Sequence, residues 1–113
     1  MMIWNTAHID APASVELQDW AVFEVQLQGR AAPTRHLVGA RRQNPLGKVS
    51  SAIVSVDPSQ RRVLTESGRV YVLDGDWGHA HGEEIVWKQW LSKYQLSSYL
   101  DVTDELAKLL LAD

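Results

Sequence analysis

The chain has 113 residues, 45 % of them hydrophobic and 22 % charged, which suits one domain with a modest core and excludes a disordered composition. It has no cysteine, so disulfides, thiolate nucleophiles and cysteine-based zinc sites are excluded together. The net charge of −3 conceals a segregation: residues 1–29 carry four acids and no Lys or Arg, residues 30–69 carry eight basic residues against two acids, and residues 70–113 carry eight acids against three lysines.

Met1–Asn5 shows no basic stretch ahead of a long apolar one, so no secretory leader is expected. No apolar run approaches the length of about 20 residues that spans a bilayer. A cytoplasmic protein without membrane contact is the expectation. Met2–Ile9 reads as a short strand with Trp4 packed under it, ended by Asp10-Ala11-Pro12. Trp20–Gln28 alternates Ala21, Phe23, Val25 and Leu27 with Trp20, Val22, Glu24, Gln26 and Gln28, the period of a strand with one face buried and the other mostly wet. Gly29–Pro33 is a loop, Thr34–Arg42 a strand, and Gln43–Gly47 a turn signalled by Asn-Pro and Gly.

Lys48–Gly75 then reads as an antiparallel meander of three runs, Lys48–Val56, Arg61–Glu66 and Arg69–Leu73. Asp57-Pro58-Ser59-Gln60 and Ser67-Gly68 are the turns between them. Both faces of these runs are partly apolar, as in a sheet covered on both sides. Glu83–Gln95 places Val86, Trp87, Trp90, Leu91 and Tyr94 on one helical stripe. Leu96–Val102 is ambiguous between a strand and an irregular link. Thr103 is an expected N-cap for a last helix over Asp104–Ala112, whose Leu111 exceeds a single apolar stripe.

The fold class expected is α+β in a single domain, 1–113. Its sheet is a strongly bent antiparallel one, or a half-open small barrel, of about five strands packed by two C-terminal helices. Ser50–Asp57 followed by Val63–Leu73 resembles a pattern in short uncharacterised bacterial proteins of plasmids, prophages and integrated elements. It covers about a quarter of the chain and consists of sheet and turn residues. The resemblance implies a small bacterial accessory protein and brings no activity with it.

Three constellations bear on function. The basic middle offers Arg35, Arg41, Arg42, Arg61, Arg62 and Arg69, joined by Arg30, His36 and Lys48, as a surface for phosphate or carboxylate. The competing reading pairs these arginines with the protein's own acids. Trp77, bracketed by Asp76 and Gly78, is the tryptophan expected at the surface, and Trp with Arg dominates binding hot spots. The loop from Asp74 to Glu84 holds two i,i+2 pairs, Asp74 with Asp76 and His79 with His81, as candidate metal ligands. Their spacing matches no established metal motif, so a solvated polar turn competes with it and no cofactor is expected.

No nucleophile elbow or glycine-rich phosphate loop is present, so no enzymatic activity is expected. The leading reading is a non-enzymatic protein-interaction or regulatory module, an inhibitor or adaptor. Its partner would be another protein or a second copy of the chain. The alternatives are a nucleic-acid-binding small barrel using the Arg-rich middle, and a metal-dependent enzyme using the Asp74–Glu84 loop.

Overall fold

The computed structural model describes residues 4–41, 44–75, 77–78 and 81–111, with backbone alone for 44–46 and 81–83. Among these, seven strands and two helices follow one another in an α+β arrangement. The strands are β1 (Val15–Val25), β2 (Thr34–Arg41), β3 (Asn44–Val49), β4 (Ile53–Asp57), β5 (Arg62–Thr65), β6 (Val70–Leu73) and β7 (Leu100–Asp101). The helices are α1 (His81–Lys93) and α2 (Thr103–Leu111).

Two expectations need correction. The sheet is mixed rather than antiparallel, because β6 runs parallel to β1 with Val15 opposite Tyr71 and Leu17 opposite Leu73. Its strands number seven rather than about five, in an unclosed path β3-β2-β1-β6-β5-β4 with β7 added beside β1. One of the two additional strands is β7, and the other arises because the run Lys48–Val56, read as one strand, serves as two. Its first part pairs with β2 and its last part with β5. At the corner between them, Ser50 N–H still donates to Leu37 O at 2.8 Å, and Ala52 O accepts from Glu66 N–H at 2.9 Å. β3 and β4 therefore end the path on opposite sides, although only three residues separate them. Three residues span about 10 Å, so the sheet must curl strongly.

β1 is the strand around which the rest assembles. Along one edge it meets β2 over nearly its whole length. Along the other it meets β6, then Trp77 in an isolated bridge to Trp20, then β7 opposite Phe23 and Glu24. A bulge between Gln18 and Ala21, with Asp19 at φ +48°, lets one strand turn enough to serve all of them. Gly39 sits against that bulge. A Cβ there would lie 3.2 Å from Gln18 O and 3.3 Å from Leu17 Cβ, so the close crossing needs the missing side chain.

The two faces of the sheet are both covered. On one, Leu17, Trp20, Val22, Leu37, Val63 and Tyr71 join Leu106 and Leu110 of α2. On the other, Ala21, Phe23, Val25 and Val38 close over Trp87 of α1, with Trp90 and Leu91 packed beside them. The N-terminal segment shields the free edge of β4: Ala7 N–H donates to Val56 O, and Val56 N–H donates to Asn5 O, each at 2.9 Å.

Helix ends follow local chemistry. Thr103 is the first residue of α2 rather than its cap. Asp101 takes the capping role, accepting the Thr103 N–H at 3.0 Å and its hydroxyl at 2.6 Å. The Thr103 oxygen in turn accepts from Val22 N–H at 2.9 Å, which ties the helix start to β1. α1 ends in a Schellman arrangement. Leu96 N–H donates to Leu91 O, Gln95 N–H donates to Ser92 O, and Gln95 takes the left-handed position at φ +57°. That reversal leaves Tyr94 outside and sends residues 96–99 back across the sheet to β7.

Candidate functional site

Most of the described arginines of the basic middle hold the fold together. Arg35 is buried. Its Nε donates to Glu24 Oε1 at 3.0 Å and its Nη2 to Glu105 Oε1 at 3.3 Å, while its guanidinium lies 4.2 Å from the Trp4 ring centroid. Trp4 Nε1–H completes the cluster on Glu105 at 3.2 Å. One guanidinium thus ties β2, β1, α2 and the N-terminal segment together. Arg30 forms a two-pronged pair with Glu66 at 2.7 and 2.8 Å, and that pairing holds the Glu66 carboxyl below its usual range. Arg61, at φ +55°, donates to Leu73 O and Gly75 O. Arg62 donates to Ile9 O and Ala11 O at 3.2 Å each and pins the N-terminal segment. Arg42 lies outside the described residues.

Arg41 and Arg69 differ from these. Arg41 ends β2 opposite Leu17, and its buried Nε–H has no partner among the described residues. Arg69 precedes β6 and is exposed, beside the Tyr71 phenol. Lys48 lies opposite Gly39, on the same side of β2 as Arg41. Burial first, and then the charges of Arg69 and Arg41, lower the Lys48 ammonium pKa.

Trp77 is 37 % exposed, with its ring 6.0 Å from that of Trp20. Of the metal candidates, Asp76 and His79 lie outside the described residues, and the His81 side chain is likewise undescribed. Asp74 is exposed and accepts from Gln18 Nε2 at 3.4 Å. Among the described residues, no group of three or more His, Asp or Glu side chains is placed to hold a metal. No described helix is long and apolar enough to cross a membrane.

A second surface escapes sequence reasoning. Tyr99 packs against Phe23 at 5.0 Å and Trp87 at 5.3 Å, yet is 46 % exposed; Leu100 beside it is 62 % exposed. With Glu24, Val25 and Pro33 they line an open hollow of about 220 Å³. Across the loop between β1 and β2, Leu27, Arg30, Lys93 and Tyr94 line another of about 310 Å³. Tyr94 lies tilted against Trp90 at 4.6 Å, and Trp90 lies face to face with Trp87 at 5.0 Å. The aromatic series therefore runs from the core to solvent at both ends. The one signal available in the sequence is the run Leu96–Val102, ambiguous between a strand and an irregular link.

No protein-family model, no curated protein and no solved structure matches the chain.

Proposed function

We propose that this chain is a non-enzymatic protein-interaction or regulatory module, an inhibitor or adaptor of a bacterial mobile element. Its docking face comprises Leu27, Tyr94, Tyr99 and Leu100. The observation that carries this reading is the pairing of half-exposed tyrosines with open hollows on either side of one loop. Tyrosine anchors whose inner faces are already fixed by packing lose little freedom on binding, which is what hot spots require. The curled sheet, read as a half-open small barrel, serves as the rigid support for that face. The commitment of Arg30, Arg35, Arg61 and Arg62 to internal contacts favours a protein partner over a nucleic-acid backbone tracked by the basic middle.

Capture from a bacterial lysate tests this, with nuclease-treated and untreated arms and with a Leu100→Arg variant in parallel. Leu100 is exposed enough for that variant to keep the wild-type melting temperature. The expected result is a captured protein that survives nuclease and is lost with Leu100→Arg. Capture that disappears with nuclease, or is indifferent to the variant, rejects this face. Sedimentation of the pure protein and of the variant separates a foreign partner from a second copy.

A further inference from the structure

We propose that Tyr94, Trp90, Trp87 and Tyr99 form a relay that carries a one-electron oxidation through the protein, from one solvent-exposed phenol to another. The relay turns over no substrate and acts within one chain, so it stands whether or not a partner covers the tyrosine face.

Ring contacts trace the route. Between centroids, Tyr94 lies 4.6 Å from Trp90, and Trp90 stacks on Trp87 at 5.0 Å with 11° between their planes. Trp87 then meets Tyr99 edge-on at 5.3 Å. Local sequence explains the first part. Residues 87, 90 and 94 follow at spacings of three and four, so the end of α1 sets their rings one above another. Tyr99 joins them because the chain reverses at Gln95 and returns to β7 beside β1. Phe23 of β1 packs against Trp87 at 4.7 Å and Tyr99 at 5.0 Å, which fixes that last contact.

Indole and phenol give up an electron far more readily than the ring of Phe23. Electron transfer slows exponentially with the gap between donor and acceptor, and each step here crosses a single ring contact. Burial decides where the oxidation rests. Trp87 is 2 % exposed and Trp90 is half-buried, so a positive charge on either is poorly solvated, although the stacked indole faces share it. Tyr94 and Tyr99 are 43 and 46 % exposed. A neutral phenol that loses an electron also releases its proton, which water accepts at both sites, and the product is an uncharged phenoxyl radical. The tryptophans therefore conduct and the tyrosines hold the oxidation. A radical oxidant in solution takes one electron from Tyr94, whose proton leaves to water. One electron then passes from Tyr99 through Trp87 and Trp90 to Tyr94. The O–H bond of Tyr94 reforms with a proton from water, and that of Tyr99 breaks.

The chain has no cysteine, so Ser92→Cys places a single tethered ruthenium polypyridyl photo-oxidant on the full chain, at an exposed position two residues before Tyr94. A flash in the presence of an electron-accepting quencher oxidises the label. A spin trap followed by peptide mapping then reports which side chains carry the radical. The expected result is adduct on both Tyr94 and Tyr99. Trp90→Phe should abolish the Tyr99 adduct and keep the one on Tyr94, whereas Trp90→Tyr, which restores an oxidisable ring, should return it. Tyr99→Phe, which keeps the ring packing, should leave all the adduct on Tyr94. No adduct on Tyr99 in the labelled parent overturns the relay. So does a Tyr99 adduct that survives Trp90→Phe, since the label then reaches it through solvent. Loss in Trp90→Phe and Trp90→Tyr alike also overturns it, because repacking then accounts for the loss.

Discussion

His36 has both ring nitrogens engaged inside the protein. Nδ1 lies 2.9 Å from Ser50 O and Nε2 lies 2.8 Å from Thr34 Oγ1, with the ring 4.7 Å from Trp90. A neutral ring fits both contacts, with Nδ1–H donating to the carbonyl and the Thr34 hydroxyl donating to Nε2. Burial is the largest influence, and it lowers the pKa below the ordinary 6.5. The unfolded chain therefore takes up this proton first as pH falls. The stability from neutral His36 is complete above pH 6.5 and declines as pH drops below it toward the depressed value. Thermal melts across pH 7 to 5 should show that decline, and His36→Gln should flatten it. Asp57 acts in a lower window. It accepts the Ile9 N–H at 2.9 Å, its largest influence, as well as the Ser59 hydroxyl and the Gln60 amide, and its pKa falls to about 2. Its contribution is present above pH 3.8 and is lost as pH falls toward 2.

At the scale of elements, α1 shows how a stripe of aromatic residues becomes both core and surface. Trp87 is 2 % exposed and contacts Phe23 at 4.7 Å, whereas Tyr94, two turns later, is 43 % exposed. The Schellman end decides the difference by turning the chain at Gln95. A non-glycine residue in the left-handed position carries a conformational cost that glycine avoids. Gln95→Gly should therefore stabilise the protein by about 0.5–1 kcal/mol in denaturant unfolding. Trp87→Ala should cost about 3–5 kcal/mol, since the stacked Trp90 cannot collapse into so large a void. If Gln95→Gly proves destabilising, the reversal after α1 is set by something other than this cap.

For the whole molecule, the uneven charge becomes a set of tertiary ties. Glu24 from the acidic first segment and Glu105 from the acidic last one both meet Arg35 from the basic middle. Arg35 and Glu24 are largely shielded, and removing one partner leaves a charge with little access to water. Arg35→Met should lose about 3 kcal/mol, while Arg69→Gln at the exposed end should change stability by less than about 0.5 kcal/mol. Equal effects would show that the buried cluster is no more than a surface ion pair.

Periodicity and turn chemistry made much of this fold legible. Thr34 begins a strand, Gly68 makes the hairpin, and Trp87 and Leu106 mark the buried sides of their helices, whereas Trp20 and Val22, which the alternation over Trp20–Gln28 places on the mostly wet face, are both fully buried under α2. These readings rest on contacts between near neighbours in the chain, where side-chain period and backbone preference act directly. The parallel pairing of β6 with β1 and the splitting of Lys48–Val56 at Ser50 depend on partners more than ten residues away, and so does the Asp101 cap, because Val22 engages the Thr103 hydroxyl. No local pattern encodes them. The same holds for the candidate sites. Residue types singled out the arginines, but every arginine has the same donors in sequence. Whether its fork meets Glu24 or a backbone carbonyl, or leaves a buried Nε–H without a partner among the described residues, depends on which strands the fold sets side by side.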